Sequence, residues 1–212
     1  MTDADWESKA RACSNYAAGF IAEQYGNLFE NNDPDRAALT PNATISKTRI
    51  DKFIYYENKA IDAFNKLMEL NPRYQTTVGN INIKCANEYM YAYSEMMLAE
   101  DAVSARKFAA KALYPDSLIS LYKSMLGSLP ANSILIAGGD NDTYTFWYLQ
   151  EVQQFRKDVT VLNVSLLGFR RYLVVNNKNH HGRLFSTPDS ILSKSNFDYF
   201  VYSNKTEKPF KL

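Results

Sequence analysis

The sequence predicts an α-rich α/β protein: a helical, tetratricopeptide-like N-terminal region packed on a small Rossmann-like parallel α/β unit. In the first part of the chain, apolar residues recur every three or four positions, which is typical of amphipathic helices. After Pro130, two short β-branched runs flank a helical pattern, as in a strand–helix–strand unit. We therefore expect a helical region over residues 1–129 and an α/β domain over residues 130–212.

The composition excludes several classes of protein. The chain has 212 residues, enough for one large domain or two small ones. With 24 Lys and Arg against 23 Asp and Glu, the net charge of +1 gives no support to a nucleic-acid partner. A hydrophobic content of 46% is too high for a disordered chain. No apolar run approaches the ~18 residues of a membrane span, so we expect no span in this chain.

Cysteines and targeting signals are sparse. Cys13 and Cys85 are the only cysteines, which excludes a disulfide framework and a cysteine-based zinc site. Two free thiols are the favoured interpretation, and one disulfide between them is the alternative. The N-terminus, MTDADW, has neither the basic region nor the apolar run of a secretory signal. The sequence is compatible with two compartments: the cytoplasm, or the cell envelope after processing of an exported precursor.

Five helices are predicted in the N-terminal region. They cover approximately residues 2–29, 46–71, 77–98, 103–113 and 117–126. Ser46 supplies an N-cap to the second helix, and Asn71 and Pro72 end it. Pro115 separates the last two helices, because proline cannot continue a helix.

The second helix resembles the second helix of a tetratricopeptide repeat. Four residues fall at the spacings of that repeat: the small Ala60, the aromatic Phe64, the apolar Leu67 and the helix-ending Pro72. A looser second set follows: Ala105, Ala109, Ala112 and Pro115. The match is degenerate, because the two prolines are farther apart than the ~34-residue period. The resemblance implies a surface that binds a peptide or protein partner, whereas an ordinary bundle with packing alanines is the favoured interpretation.

The second half of the chain changes its hydrophobic period. The predicted elements are strands over residues 133–137, 159–164 and 198–202 and helices over residues 143–155 and 188–192. The first two strands are short and apolar throughout, so we expect both to be fully buried. A helix between two such strands indicates a parallel pair with a right-handed crossover.

Residues 134–173 resemble part of a known family. The shared features are GDNDT at 139–143, WYLQEV at 147–152, Arg156 with Asp158 and Val159, and NVSLL at 163–167. They are similar to the soluble C-terminal part of multi-spanning bacterial membrane proteins, which are themselves similar to eukaryotic protein O-mannosyltransferases. The chain departs from that family at Thr145, where the family has proline, and after Leu167.

The resemblance implies an α/β unit combined with helical repeats, and a link to cell-envelope glycan or glycoprotein handling. The family's sugar-transfer chemistry is expected in its membrane-spanning portion, and no run in this sequence has that character. The resemblance therefore implies a soluble relative rather than a complete transferase.

The GDND segment, residues 139–142, is the main candidate site. It lies between a predicted strand and a predicted helix, where open α/β sheets bind ligands. It fits neither a phosphate loop nor a dinucleotide fingerprint. Two carboxylates and an amide suit a hydroxyl-rich ligand such as a sugar, or a hard cation. Capping of the helix is the favoured interpretation for each residue alone. The candidate ligand-binding residues are Asp140, Asn141, Asp142, Thr143 and Trp147.

Other polar and aromatic clusters are interpreted as structural. His180 and His181 are the only histidines and lie in a polar segment with no ligand set nearby. Arg156, Arg170 and Arg171 are expected on a solvated surface. The tyrosines at 89, 91 and 93 cannot share one helix face, so at least one should be exposed or meet the second domain.

The leading hypothesis is a non-enzymatic binding or scaffold protein with a protein or glycan partner. The alternative is a glycosyltransfer-related or hydrolytic domain that uses Asp140 and Asp142. A catalytic site requires these two carboxylates to converge in one pocket, and this requirement separates the hypotheses. We assign no catalytic residue, no metal and no cofactor, and the sequence predicts no oligomeric state.

Overall fold

The computed structural model describes residues 1–21, 44–180, 184–185 and 188–192. The helices are α1 (Asp3–Ala18), α2 (Lys47–Leu70), α3 (Ile81–Leu98), α4 (Ala102–Ala109), α5 (Asp116–Gly127), α6 (Gly139–Glu151), α7 (Arg170–Asn179) and α8 (Asp189–Leu192). The strands are β1 (Gln75–Thr76), β2 (Gly79–Asn80), β3 (Ile134–Ala137) and β4 (Thr160–Asn163). Over these residues, no helix combines the length and the apolar character that crossing a membrane requires. The α-rich α/β fold class is confirmed.

The first four helices pack in sequence order. α1 lies against α2, α2 against α3, and α3 against α4. Ala60, Ala105 and Ala109 of the repeat-like pattern are completely buried, so they act as packing positions. Cys13 and Cys85 are both free thiols, so the disulfide alternative is wrong.

Several helix boundaries differ from the prediction. α1 ends at Ala18, with Gly19 as its C-cap, instead of continuing to residue 29; residues 22–29 lie outside the described part. α3 begins at Ile81 rather than residue 77, because β1 and β2 form a short antiparallel pair before it. α4 ends at Ala109, earlier than predicted, and the chain then turns towards Pro115. Ser46 caps α2 as expected, its hydroxyl accepting from the Arg49 amide.

The predicted parallel strand pair is confirmed. β3 and β4 pair in register from Ile134 opposite Thr160 to Ala137 opposite Asn163, and α6 connects them and packs on β4. Full burial of β3 is wrong, because the side chains of Ile134 and Ile136 are 55% and 58% exposed. A run of apolar residues does not distinguish a strand covered on both faces from one covered on a single face.

The other predicted elements of this region have mixed outcomes. α6 covers Gly139–Glu151 rather than residues 143–155, so its first turn includes the GDND segment. The short helix predicted from Pro188 onward is present as α8. The strand predicted over residues 198–202 lies outside the described residues.

One hydrophobic core joins the two predicted regions. Its larger members from before residue 130 include Met90, Tyr114, Tyr122 and Leu126, and those from after it include Tyr144, Tyr148, Leu149 and Val161. The Tyr114 and Tyr148 rings meet edge to face with centroids 5.2 Å apart. The helical region therefore packs on the α/β unit through a shared core.

Arg156 ties the end of α5 to the loop before β3, which corrects its expected place on a solvated surface. Its guanidinium donates hydrogen bonds to the carbonyl oxygens of Leu126, Gly127, Leu129 and Pro130. It also pairs with Asp158, with Nε 2.8 Å from Oδ1. This bond lowers the pKa of Asp158 to about 2. The Arg156–Asp158 pattern of the sequence thus has a structural role.

At the start of α6, the backbone conformation requires glycine at position 139 but not at position 138. Gly139 has φ +80°, whereas Gly138 has φ −92°, which any residue can adopt. We expect Gly139→Ala to lower the free energy of unfolding by about 1–2 kcal/mol, the cost of a left-handed conformation for a side chain. Gly138→Ala is the matched control, since an added Cβ meets no atom within 4 Å at either site. Urea denaturation measures both, and equal losses would contradict this explanation.

Candidate functional site

The GDND segment forms the first turn of α6 and does not cap it. Gly138 is the N-cap residue, and no side chain makes a capping hydrogen bond there. Asp140 and Asp142 still complement the positive end of the helix dipole, as expected of acidic residues in a first turn. The capping interpretation is therefore wrong for these side chains, which bond to other parts of the chain instead.

Asn141 and Asp142 of the candidate set bond to other elements, whereas Thr143 bonds within α6. Asn141 accepts a hydrogen bond from Asn87 of α3, and its Nδ2 donates to the Val78 carbonyl oxygen at 3.1 Å. Asp142 accepts from the Tyr122 hydroxyl of α5; burial and this bond raise the pKa of Tyr122. Thr143 is buried, and its hydroxyl donates to the Gly139 carbonyl oxygen at 2.7 Å.

Asp140 faces a cavity of about 210 Å³ between α1, α3 and the start of α6. Its Oδ1 accepts from Asn163 Nδ2, 3.2 Å away at the carboxyl end of β4. Most of the polar wall comes from α3 and α6: Lys84, Asn87, Glu88, Glu95, Asp140 and Asn141. We call this space the acidic cavity.

Glu88 has an incompletely satisfied carboxylate in the wall of the acidic cavity. The residue is 2% exposed, and one oxygen pairs with Lys84 Nζ. Its Oε1 has no hydrogen-bond partner among the described residues. Glu57 of α2 is also buried; burial and the nearby Glu88 raise its pKa well above the usual range. A buried carboxylate oxygen without a partner is costly.

Glu95 titrates near neutral pH at the other end of the same α3 face. Its burial raises the pKa to about 7, while Arg171 opposes this shift and Asp140 adds to it. Arg171 is itself buried, and its Nε donates to the Leu98 carbonyl oxygen at 2.7 Å. The expectation that Arg171 lies on a solvated surface is therefore wrong, because α7 packs against α3.

The buried carboxylates of the helical region are not singled out by the sequence analysis. Glu57 lies midway between Phe53 and Ile61, inside the apolar face of α2. Glu88 and Glu95 are seven residues apart, so they share one face of α3. A charged residue at a position that should be apolar is the signal that could have identified all three.

Trp147 lies away from the acidic cavity. It borders a second cavity of about 300 Å³, which we call the tryptophan cavity. Its ring is 6.4 Å from that of Tyr93, and its indole N–H donates to the Val161 carbonyl oxygen at 3.1 Å. Tyr93 thus meets the α/β unit, as expected for one of the three tyrosines of α3. His180 lies at the rim of this cavity, and His181 is outside the described residues.

Asp140 and Asp142 do not line the same cavity. Asp140 lines the acidic cavity, whereas Asp142 bonds to Tyr122 and is not part of its wall. Residues two positions apart on a helix point about 200° apart, so the two carboxylates diverge. Among the residues that the structure describes, no three His, Cys, Asp or Glu side chains are grouped to hold a metal ion.

Residues 119–182 match the family model described as TMEM260-associated domain 2. The matched part runs from within α5 to just past α7, and it contains the GDND segment and the 134–173 segment. Glu88 and Glu95 lie before it. No curated protein and no solved structure matches this sequence.

Proposed function

We propose that this chain is a non-catalytic binding protein whose acidic cavity holds a small, hydroxyl-rich ligand such as a sugar. The observation that carries the proposal is that Asp140, Asn141 and Glu88 line the same cavity. Carboxylate and amide oxygens accept hydrogen bonds from hydroxyl groups, and a protonated Glu95 can donate one.

The position and size of the cavity support this ligand class. Asp140 lies three residues after the end of β3 and bonds to the last residue of β4, so this part of the cavity wall lies at the carboxyl ends of the strands. Ligands of open α/β sheets bind at this edge. A volume of about 210 Å³ is smaller than the ~300–1,000 Å³ of drug-sized sites, which favours a ligand of monosaccharide size.

The similarity of residues 134–173 to soluble parts of proteins related to O-mannosyltransferases supports a sugar as the ligand and a role in cell-envelope glycan or glycoprotein handling. As a second proposal within the same function, the repeat-like helices bind a protein partner. The enzymatic alternative has less support, because Asp140 and Asp142 do not converge.

Asp140→Ala and Asp142→Ala form a matched pair that tests the proposal. Both remove one carboxylate from the same helical turn, but only Asp140 lines the cavity. With neutral sugars such as D-mannose and D-glucose in calorimetric titrations, we expect Asp140→Ala to abolish binding and Asp142→Ala to retain it. Asp142→Ala should instead lose about 1.5–3 kcal/mol of unfolding free energy, as for a hydrogen bond to a charged group.

Melting temperatures of both variants serve as the folding control. Absence of sugar binding to the parent chain would overturn the proposed function. Equal loss of binding in two folded variants would show that the cavity is not the site.

A further inference from the structure

The tryptophan cavity lies beside the edge of β4 that faces away from β3. The Thr160 amide bonds towards β3, so the backbone groups of its odd-numbered neighbours point to this other edge. Side chains bond to those groups: Gln150 to the Val159 carbonyl oxygen, Trp147 to the Val161 carbonyl oxygen and Tyr172 to the Asn163 amide. These bonds occupy the groups that a further strand would need, and α3, α6 and α7 supply most of the cavity wall instead.

Apolar and aromatic side chains dominate this wall. They include Tyr93, Met97, Trp147, Val161, Tyr172 and Val175. The indole nitrogen of Trp147 is already bonded, so the side chain offers a ligand only carbon atoms. Burial raises the pKa of Tyr172 to about 12, so its hydroxyl is uncharged at neutral pH. The wall therefore offers apolar contact rather than charge.

Glu151 and Lys157 of the wall are bonded to residues outside it. Glu151 Oε1 lies 3.2 Å from Arg106 Nε, and the exposed Lys157 donates from Nζ to Gln154 Oε1 at 3.2 Å. Asp140 of the acidic cavity does not line this one. The two cavities thus differ in chemistry, and a charged group on a ligand is not required here.

We propose that the tryptophan cavity is a second binding site, which takes an uncharged aromatic compound of one or two rings. Its volume of about 300 Å³ is at the lower end of the ~300–1,000 Å³ of small-molecule sites, which limits the ligand to this size. Such a ring displaces water from the apolar wall and also gains from contact with other aromatic rings. The inference does not depend on the proposed function.

Benzyl alcohol and cyclohexylmethanol test the inference on the full chain. Both are uncharged, both carry one hydroxyl group and they are similar in size, but only benzyl alcohol is aromatic. Calorimetric titration in the millimolar range should show benzyl alcohol binding about 2- to 10-fold more tightly, the gain expected from one aromatic pair. Equal affinities, or no binding of benzyl alcohol, would overturn the inference.

Tryptophan fluorescence reports where the ring binds. Trp6 and Trp147 are the only tryptophans, and Trp6 lines neither cavity. We expect benzyl alcohol to change the emission of Trp147 in the Trp6→Phe variant and to leave the emission of Trp6 unchanged in the Trp147→Phe variant. A change at Trp6 with none at Trp147 would place the ring outside this cavity and overturn the inference.

Met97→Trp and Met68→Trp form a matched pair for the same titration. Both methionines are half-buried on helices, but only Met97 lines the tryptophan cavity. Met97→Trp fills part of the space and should weaken benzyl alcohol binding at least about 10-fold, whereas Met68→Trp should change it by less than about twofold. Equal affinities in the two folded variants would overturn the inference.

A competition experiment on the parent chain separates this inference from the proposed function and needs no variant. Saturating D-mannose should leave the affinity for benzyl alcohol unchanged, because the two ligands occupy different cavities. Displacement of benzyl alcohol by D-mannose would contradict a second site. Failure of D-mannose to bind, with benzyl alcohol still bound, would overturn the proposed function and support the aromatic site.

Discussion

Tyr148→Ala is expected to lower the free energy of unfolding by about 3–5 kcal/mol, the range for a buried aromatic side chain. Tyr148 is 9% exposed, and its ring meets that of Tyr114 across the contact between the two predicted regions. Because both regions share one core, we expect the loss in a single cooperative transition. Urea denaturation followed by circular dichroism measures both the loss and the cooperativity.

Tyr55→Ala is the control for this prediction. Tyr55 of α2 is 55% exposed, so its removal should cost less than about 1 kcal/mol. A loss below about 1 kcal/mol for Tyr148→Ala would show that this face of α6 is not core. Two separate unfolding transitions in the parent chain would contradict a shared core.

Glu95 is expected to make the parent chain less stable as the pH rises from 4.5 to 7. The folded chain keeps a proton on Glu95 up to about pH 7, whereas the unfolded chain releases it near the ordinary value of 4.5. The stabilisation is therefore complete below pH 4.5 and is lost as the pH rises to the folded pKa. At 1.36 kcal/mol per pKa unit, the loss is about 3 kcal/mol.

Glu95→Gln isolates this effect, because glutamine does not titrate and the other carboxyl groups are common to both chains. Urea denaturation at intervals from pH 4.5 to 8 should show the difference in unfolding free energy between parent and variant changing by about 3 kcal/mol. The exposed Glu69→Gln variant should follow the parent. Parallel curves for parent and Glu95→Gln would mean that Glu95 is already ionised at pH 5.

Local sequence signals predicted most of the elements correctly. The Ser46 cap and the Asn71–Pro72 stop are short-range features, and both ends of α2 follow from them. The period change near Pro130 predicted β3, α6 and β4 as a parallel unit. Such features depend on residues a few positions apart, which a single sequence displays directly.

The sequence analysis placed the start of α6 too late because it could not predict the φ angle of Gly139. The positive φ of Gly139 lets the chain turn sharply after β3, so the helix begins four residues earlier than predicted. With the helix starting at Gly139, the divergence of Asp140 and Asp142 follows from helical geometry alone. The sequence does not display that angle, since glycine adopts positive and negative φ with similar ease.

The composition of the acidic cavity could not be predicted, because its walls are distant in sequence. Asp140 is 45 or more residues from Glu95 and Glu88, and only the packing of α3 on α6 brings them together. Their positions among apolar residues of α3 could have indicated their burial, but not their meeting with the GDND segment. Trp147 was grouped with that segment by proximity in sequence, and it faces the tryptophan cavity instead.

A crystal structure of the full chain soaked with D-mannose is the most direct test of the claim that the acidic cavity is the ligand site. We predict an ordered sugar within hydrogen-bond distance of Asp140 and Asn141. An ordered sugar in the tryptophan cavity, with the acidic cavity holding none, would contradict the claim.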